Sequence, residues 1–576
     1  MKRTAIFRTV FCMLLLAALA NHTMAQQRYE YIPCSQMPEI IQLFYADYTE
    51  LGRVYTDNSA PEKRERFRKL AADYLTKLEK IDFNSLPQGC KADYILFSRD
   101  LKELEHEADT EANEYNQLQP WFPFADSIYT LEKLRRRGAS LDGKQVAGSF
   151  HTISQQVNLL KAKLPSEKTL TVIQERKALD IIDGLQSALK SIYTYYNLYD
   201  PLFTWWVPDT YRKLDSSLAE YAQQFKTTAD TYAPNKDSSG IVGQPIGREE
   251  IIRQLKNEMI SYTPEELIEI ATKEFAWCDK EMLKASTEMG FGNDWKKALE
   301  LVKNSYVPSG KQPEAMMKLY NESVAFLKEK DLVTIPALAE ETWRTVMISP
   351  KQQLLNPFFY GGEEFGISYP TNTMDYDARM MSMRGNNPHF SRATVHHELI
   401  AGHYLQQFMQ EHYNTYRNFN TPFWTEGWAL YWELTLWDEK FPQSPEDRIG
   451  MLFWRMHRCA RIIFSLNYHM GKWTPQQCID FLVDRVGHER ANAEGEVRRS
   501  FVGGYSPLYQ VAYMIGGLEF YNLRKEIVSS GKMTIKEFHD AVLHLNAMPV
   551  EMIRAILTNQ PLNKNFVTTW RFYSLK

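Results

Sequence analysis

The hydrophobic and polar positions of this chain alternate mainly with the period of an α-helix. Between residues 61 and 80, apolar side chains recur every three or four positions. They are Phe67, Leu70, Ala71, Tyr74, Leu75 and Leu78. This spacing places them on one face of a helix, which then has a buried side and a solvated side. Strand-like alternation is rare, and NPFFYGGEEFGISYP (356–370) is the best candidate for a small sheet. The pattern predicts a mainly α-helical protein.

Helix starts recur along the chain as a hydroxyl residue followed by a favourable first turn. Four of them begin at Thr263, Ser444, Thr474 and Thr534. Three of these have Glu or Gln three residues later, where its side chain can close a capping box with the hydroxyl residue. Proline often fills the first helical position, which suits its fixed φ. These signals predict helices that begin at all four positions.

A change in composition divides the chain near residue 235. The segment APNKDSSGIVGQPIG (233–247) is rich in Gly, Pro, Ser and Asn and separates two helical regions. About 550 residues can bury a large core and usually form two or more subdomains. We therefore expect a helical N-terminal lobe over residues 26–235 and a helical catalytic lobe over residues 236–576, with a central cleft between them.

The first 25 residues have the features of a secretory signal peptide. Lys2, Arg3 and Arg8 precede the apolar run TVFCMLLLAALA, and Ala25 offers a cleavage site. The apolar run is about 12 residues long, which is too short to span a bilayer. No later stretch reaches the roughly 18 apolar residues of a membrane helix. We expect an exported, soluble protein without a membrane span, periplasmic if the cell is Gram-negative and otherwise secreted.

Charge and cysteine content exclude several classes of protein. Removal of the three basic leader residues changes the formal net charge from −4 to −7, and this mild acidity argues against a nucleic-acid partner. Five cysteines follow the leader, an odd and sparse set that excludes a disulfide scaffold. One bridge, such as Cys34–Cys90, is permissible in an oxidising compartment. The chain has no Cys-x-x-Cys pair, which excludes a thiolate zinc site.

The stretch VHHELIAGHYLQ (395–406) holds three histidines and one glutamate in an apolar run. Zinc peptidases usually carry His-Glu-x-x-His, with the two histidines one helical turn apart. If the helix were unbroken, His403 would lie about 9 Å from His397 along the helix axis, and the two side chains would leave the helix roughly 120° apart. Both imidazoles can reach one ion only if the helix is distorted at Ala401 and Gly402. His396 is an alternative in sequence only, because its side chain leaves the helix about 100° from that of His397.

The segment TPFWTEGWALYWE (421–433) carries two further acidic candidates. Glu426 and Glu433 lie on one helical face among large apolar residues. Buried acidic residues are usually paired or bound to metal. Glu426 is therefore a candidate ligand, while Glu433 could instead pair with an arginine such as Arg455 or Arg461.

Tyrosines recur every four residues in GGYSPLYQVAYMIGG (503–517), at Tyr505, Tyr509 and Tyr513. A tyrosine hydroxyl directed at a zinc site can stabilise the oxyanion of a tetrahedral intermediate. His469 could do the same. The tyrosine spacing also suits ordinary core packing, so the pattern alone leaves both interpretations open.

Together these residues resemble a bacterial family known only as domain of unknown function 885, and the resemblance covers most of the mature chain. Its motif H-E-x-x-P-G-H-x-x-Q corresponds to residues 397–406, with Ala401 in place of proline. The motif E-G-W-A-L-Y is unchanged at residues 426–431. A third motif, P-G-Q-x-x-x-Y-x-x-G, is matched in part. Its matching positions are Pro507, Tyr513 and Gly516.

The resemblance implies a zinc site. Members of this family look like relatives of the helical oligopeptidases, in which a glutamate about 29 residues after the first histidine is the third ligand. That pattern implies His397, His403 and Glu426 as ligands of Zn²⁺, in a two-lobed helical fold with a small sheet near the zinc helix. Glu398 would then serve as general base, with Tyr513 and His469 assisting catalysis.

Three positions depart from the family pattern. Ala401 replaces the proline, so the helix break depends on Gly402. Ser465 stands where an aspartate is common before His469, and Tyr509 removes a possible amide contact. None of the departures affects the four residues expected to bind the metal or accept the proton.

We expect an exported zinc-dependent peptidase that acts on short peptides through a metal-activated water and a glutamate base. One alternative is a metal-dependent amidase acting on cell-wall peptides. A second is a non-catalytic peptide-binding protein with a degenerate metal site. The sequence indicates neither the oligomeric state nor the choice between endo- and exo-cleavage.

Overall fold

A computed structural model of the protein describes residues 34–167, 170–229, 237–353 and 358–575. The predicted signal peptide lies outside these residues. Within them, the chain is mainly α-helical with one two-stranded sheet, which confirms the predicted fold class. No helix in these ranges has both the length and the apolar character needed to cross a lipid bilayer.

The described chain divides into two units. The N-terminal unit consists of residues 35–86 and 93–244, whereas the C-terminal unit consists of Cys34, residues 87–92 and residues 245–575. The division between residues 244 and 245 falls in the segment that the composition marks as a boundary. The predicted cleft between two lobes stays a prediction.

The N-terminal unit is built from helices. They are α1 (Met37–Val54), α2 (Pro61–Glu79), α3 (Gln88–Leu118, of which residues 88–92 belong to the C-terminal unit), α4 (Ala125–Arg136), α5 (Gly143–Glu167), α6 (Val172–Tyr196), α7 (Pro201–Trp206) and α8 (Pro208–Ala229). Short 3₁₀ turns lie at Phe83–Ser85 and Gln119–Trp121. Helix α2 confirms the helix predicted between residues 61 and 80. Helix α8 packs against both α5 and α6. Their fully buried side chains include Phe150, Ile181, Leu185 and Tyr221.

The C-terminal unit contains the remaining helices and both strands. They are α9 (Arg248–Asn257), α10 (Pro264–Glu288), α11 (Trp295–Lys303), α12 (Gln312–Glu329), α13 (Ala337–Thr342), β1 (Arg344–Met347), α14 (Pro350–Gln353), β2 (Glu364–Ile367), α15 (Tyr376–Gly385), α16 (Pro388–Glu398), α17 (His403–His412), α18 (Pro422–Asp438), α19 (Pro445–His469), α20 (Pro475–Phe481), α21 (Arg490–Val502), α22 (Tyr509–Ser529), α23 (Ile535–Leu545) and α24 (Val550–Leu557). A π-helical turn, Leu482–Val486, follows α20.

All four predicted helix starts are confirmed, at α10, α19, α20 and α23. The Thr263 hydroxyl accepts a hydrogen bond from the Glu266 amide at 3.3 Å, and the Glu266 carboxylate accepts one from the Thr263 amide at 2.8 Å. Thr474 and Thr534 form the same reciprocal box, whereas Ser444 caps its helix with the hydroxyl alone. Each cap satisfies amides that the first turn leaves without helical partners.

The small sheet lies where the sequence places one of its strands. Strand β2 falls within residues 356–370 and pairs in parallel with β1, from Arg344 opposite Glu364 to Met347 opposite Ile367. Strand β1 was not predicted, because it is short and most of its side chains are exposed. Just before β2, the backbone of Gly361 approaches Glu398 so closely that a Cβ there would collide with it.

A disulfide joins Cys34 to Cys90 across a Cα–Cα distance of 5.0 Å. This is the bridge that the sequence permits. Both cysteines belong to the C-terminal unit, and the bridge closes a loop that contains residues 35–86 of the N-terminal unit. Cys278, Cys459 and Cys478 are buried free thiols.

Helices α18 and α22 contact each other more extensively than any other pair of described elements. Two glycines allow this. A Cβ at Gly516 would overlap the carbonyl oxygen of Phe423 and lie 2.9 Å from Cα of Gly427, and a Cβ at Gly427 would lie 2.7 Å from Cα of Gly516. The two backbones therefore touch, and a side chain at either position would force them apart.

We expect Gly516→Ala to lower the free energy of unfolding by about 1–3 kcal/mol, because the added methyl has only backbone to displace. The measurement is the urea midpoint, followed by circular dichroism. Gly495→Ala is the matched control, since Gly495 is also helical but has open space around it. That control should raise stability by about 0.5–1 kcal/mol. Equal midpoints for the two variants would contradict the close approach.

Candidate metal centre

The helix that carries the histidine motif is broken between His397 and His403. Helix α16 ends at Glu398, α17 begins at His403, and residues 399–402 are irregular. This confirms the distortion predicted at Ala401 and Gly402. A Cβ at Gly402 would overlap the carbonyl oxygen of His397, so the chain can fold back this closely only with glycine at that position. The break returns His403 to the side of the chain that His397 faces.

Three side chains from α16, α17 and α18 converge on one point. The Oε2 atom of Glu426 lies 3.2 Å from Nε2 of His403 and 3.7 Å from Nε2 of His397. The three side chains offer ligand atoms that all lie within 4.8 Å of one another. His397 and Glu426 are only 2% and 5% exposed. The structure thus brings together the three residues that the sequence proposes as metal ligands.

The arrangement fits a zinc ion. Zinc takes histidine nitrogens and carboxylate oxygens at about 2.0–2.2 Å in a tetrahedral set, so neighbouring ligand atoms stand about 3.3–3.6 Å apart. The separations of 3.2 and 3.7 Å are close to these values. Two imidazoles and one carboxylate are also a ligand set that leaves a fourth position for water.

The charges at this point favour a cation. Burial alone would raise the pKa of the Glu426 carboxyl, but the His403 and His397 rings beside it hold that pKa well below its usual range. Burial alone would lower the pKa of His397, but hydrogen bonds with Glu426 and Glu433 raise it to about 9. The Glu426 carboxylate therefore stays ionised. Its negative charge favours a positive charge at the His397 imidazole, supplied either by a proton or by a bound metal ion.

Glu433 orients the first histidine. Its Oε1 accepts a hydrogen bond from Nδ1 of His397 at 2.7 Å and another from Nη2 of Arg458 at 3.2 Å. Histidine ligands of metals commonly donate their second ring nitrogen to a carboxylate, which fixes the tautomer and frees the other nitrogen for the metal. With Nδ1 protonated, Nε2 of His397 is the atom that faces Glu426.

The sequence did not predict that Glu433 orients His397, and both arginines that it suggested as partners of Glu433 pair elsewhere. Arg455 pairs with Glu274 at 2.6 Å, and Arg461 with Glu496 at 2.7 Å. Arg458 lies between them on α19 and is the one that faces Glu433. Glu433 follows Glu426 by two helical turns on the same face, and this spacing is the signal that could have placed it beside the metal ligands.

The two histidines considered as alternatives lie elsewhere. His396 is fully buried, its ring packs edge-on against Phe441 with centroids 5.7 Å apart, and burial lowers its pKa to about 3. His469 is the last residue of α19, with its ring 5.8 Å from that of Phe501. Among the described residues, those that line the cavity at the ligand triad do not include His469. The structure therefore does not bring His469, a predicted catalytic residue, to the cavity.

The ligand triad lines a cavity of about 300 Å³. Glu398 and Tyr513, the other predicted catalytic residues, line the same cavity. Burial raises the pKa of the Glu398 carboxyl and of the Tyr513 hydroxyl. The ring of Tyr513 stacks almost parallel to that of His397, with centroids 6.2 Å apart. The hydroxyl of Tyr509 donates a hydrogen bond to Oε1 of Glu426. Tyr509 therefore supplies a donor to the third ligand although it replaces the glutamine of the family.

Comparison with known proteins supports the fold and leaves the chemistry open. The family described as "Bacterial protein of unknown function (DUF885)" matches residues 47–557. Two solved structures are similar in fold. "The structure of a putative lipoprotein of unknown function from Shewanella oneidensis" has a TM-score of 0.64 at 17% identity and covers 91% of this chain and 100% of its own. "The crystal structure of the putative lipoprotein from Colwellia psychrerythraea" has a TM-score of 0.57 at 14% identity and covers 91% and 98%. No curated protein matches the chain.

We expect His403→Ala to abolish stoichiometric zinc binding and His396→Ala to leave it intact, because only His403 reaches the other two ligands. The measurement is metal content after loading with zinc and gel filtration, with circular dichroism as the check on folding. His396→Ala is a demanding control, since it removes a buried ring from the same helix. Loss of zinc in His396→Ala together with retention in His403→Ala would contradict the assignment.

We expect Glu433→Gln to weaken zinc affinity about 10–100-fold, because His397 loses the charged partner that fixes its tautomer. Competition with a chromogenic chelator measures the affinity. Glu439→Gln is the control at the C-cap of the same helix, since Glu439 is partly exposed and lies 3.4 Å from Lys330. If both variants bind zinc as tightly as the wild type does, Glu433 has no part in the metal centre.

Proposed function

This chain belongs to the bacterial family of unknown function DUF885, and we propose that it is an exported zinc-dependent peptidase acting on short peptides. One observation carries the proposal. His397, His403 and Glu426 converge within 4.8 Å, and Glu398 lines the same cavity. Three ligands and a free carboxylate are the constellation that hydrolytic zinc sites use.

A zinc ion held by His397, His403 and Glu426 would supply a Lewis acid and lower the pKa of a coordinated water toward about 7. Glu398 accepts the proton of the attacking water and gives it to the leaving amine. It follows a ligand directly in sequence but is not a member of the ligand triad, so its carboxylate is left for this transfer.

Tyr513 donates a hydrogen bond to the developing oxyanion. Its pKa is raised by burial, so the hydroxyl keeps its proton at neutral pH, and its ring lies against the ring of His397. A donor that is already in place costs no reorganisation when the charge develops.

The size of the site and the surroundings of the protein support a small, extracytoplasmic substrate. A cavity of about 300 Å³ lies at the lower end of the usual range for small-ligand sites, which favours short peptides over folded proteins. The Cys34–Cys90 bridge suits an oxidising compartment. The similar structures from Shewanella and Colwellia carry the description of lipoproteins, which suggests export. The signal peptide that the sequence predicts at residues 1–25 agrees with export.

We expect Glu398→Gln to retain one zinc per chain and to lower kcat about 10²–10⁴-fold, because the proton acceptor is lost while the ligands remain. A mixture of short peptides, digested by the zinc-loaded protein and followed by mass spectrometry, gives the rate. Glu411→Gln is the control, since Glu411 is exposed on the neighbouring helix α17.

Three results would contradict the proposal. A zinc-loaded wild type that cleaves no peptide in the mixture, yet binds some of them, would be a peptide-binding protein. Absence of zinc from protein purified without chelators and then loaded would remove the metal from the reaction. Full activity in Glu398→Gln would remove the glutamate from its role.

A further inference from the structure

Three arginines line the cavity that contains the ligand triad, namely Arg458, Arg461 and Arg499. They come from α19 and α21 and are not required by the proposed hydrolysis of a peptide bond. Arg458 and Arg461 are buried, and Arg499 is partly exposed. Buried guanidinium groups are seldom present without carboxylate partners, so the acceptors of these three cations decide what else the cavity can bind.

Among the described carboxylates that line the cavity, Glu496 is the one that forms ion pairs with Arg461 and Arg499. Arg458 donates to Glu433. Arg461 and Arg499 share Glu496, with Nε of Arg461 2.7 Å from Oε1 and Nε of Arg499 3.2 Å from Oε2. One carboxylate thus faces two guanidinium groups, and the pair keeps a surplus positive charge.

Two neighbouring imidazoles, His457 and His488, do not change this surplus of positive charge. His457 lies 3.9 Å from Glu496, and His488 forms a hydrogen bond with His457 at 2.8 Å. Burial and the nearby arginines lower the pKa of His457 well below its usual range, so the ring stays neutral. The surplus charge therefore remains with Arg461 and Arg499.

Arg461 has an unused donor at the cavity. Its Nη1 atom is buried and makes no hydrogen bond with any residue that the structure describes. The whole residue is only 3% exposed. A buried guanidinium N–H without an acceptor is unfavourable, and a carboxylate is its strongest acceptor because both groups are charged. Because Arg461 lines the cavity, an anion that reaches Nη1 from there would satisfy this donor.

The ring of Tyr513 lies close to both Arg461 and His397. The Arg461 guanidinium carbon lies 4.4 Å from the Tyr513 ring centre, and the centre of the His397 ring lies 6.2 Å from the same point. An extended peptide advances about 3.3–3.6 Å per residue. The Arg461 guanidinium and the His397 ring are therefore no more than about 11 Å apart, a distance that up to about three residues of extended peptide span.

We propose that Arg461, with Arg499 beside it, binds the C-terminal carboxylate of the substrate, so that the protein removes short units from the C-terminal ends of peptides. This rests on the proposed peptidase function and gives it a direction of cleavage. A side-chain carboxylate of Asp or Glu has the same chemistry. The terminal group is the one assigned, because a cavity of about 300 Å³ accommodates the end of a peptide better than a chain that continues beyond it.

The first test measures binding without cleavage. N-acetylalanine and its amide differ only in the carboxylate, and calorimetry gives their affinities for the zinc-loaded protein. We expect the acid to bind about 10–100-fold more tightly than the amide. Arg461→Gln should abolish the difference, and Arg461→Lys should restore part of it. Equal binding of the two probes to the wild type, or an unchanged difference in Arg461→Gln, would overturn the proposal.

The control for this test is Arg455→Gln. Arg455 lies on the same helix α19 and pairs with Glu274 at 2.6 Å, but it is not among the described residues that line the cavity. It should keep the preference for the acid. Arg499→Gln is a second variant that perturbs the fold less, because Arg499 is partly exposed, and it should weaken the preference without a change in zinc content.

The second test measures cleavage and separates the two proposals. Three tetrapeptides are compared, one with a free C-terminus, one with a C-terminal amide, and one amide that ends in Glu. We expect kcat/KM for the free acid to exceed that for both amides by about 10²-fold. Equal cleavage of all three would leave the peptidase intact and overturn the carboxylate site. Preferred cleavage of the Glu amide would overturn the terminal assignment, and cleavage of none would overturn the peptidase itself.

Discussion

The close approach of α18 and α22 at Gly427 and Gly516 is the constraint on which the candidate site depends. Helix α18 carries Glu426, the residue before one of these glycines, and α22 carries Tyr509 and Tyr513. Because the two backbones touch, the Tyr509 hydroxyl reaches Glu426 and the Tyr513 ring reaches His397. A wider spacing would separate the third ligand from its hydrogen-bond donor. Because Gly427 and Gly516 have no side chains, the helices approach closely enough to place Glu426, Tyr509 and Tyr513 beside one another.

A second constraint is the placement of many charges in a buried volume. Glu426, Glu433 and Glu496 are each about 5% exposed, which is costly unless every charge has partners. The structure meets this requirement with a continuous set of contacts from Arg458 through Glu433 to His397 and on to Glu426. Such a network fixes the orientation of each side chain, since loss of one member leaves another buried charge without a partner. The site is thus held rigidly before any ligand arrives.

The sequence predicts the parts of this structure that depend on local chemistry. Helix starts follow from single capping residues such as Thr263, and the break between His397 and His403 follows from Gly402 together with the spacing of the two histidines. The resemblance to a family predicts that Glu426 converges with those histidines, and in the structure the three side chains do lie together. Each of these features is determined within a few residues or by a specific motif.

The features that the sequence did not predict depend on packing between distant segments. Glu433 pairs with Arg458 rather than Arg455 or Arg461, because the rotation of α19 against α18 selects one arginine out of three. His469 lies beside Phe501, and nothing in its neighbours along the chain indicates this. Strand β1 has four residues and mostly exposed side chains, so its alternation is too short to distinguish from a loop. In each case the deciding contact is made by residues far apart in sequence.

The path of the chain through the two units affects how the protein can be made. The C-terminal unit includes residues 87–92, and there the Gln88 amide donates to the carbonyl oxygens of Ala555 and Gln560 at 3.0 and 2.6 Å. All residues of the N-terminal unit precede residue 245, so that unit can fold while synthesis continues. The C-terminal unit must wait until almost the last residue has emerged, and contacts over such separations form slowly. During that interval the apolar residues that α18 and α22 bury in the folded unit are exposed to water, and exposed apolar surface of this kind promotes aggregation.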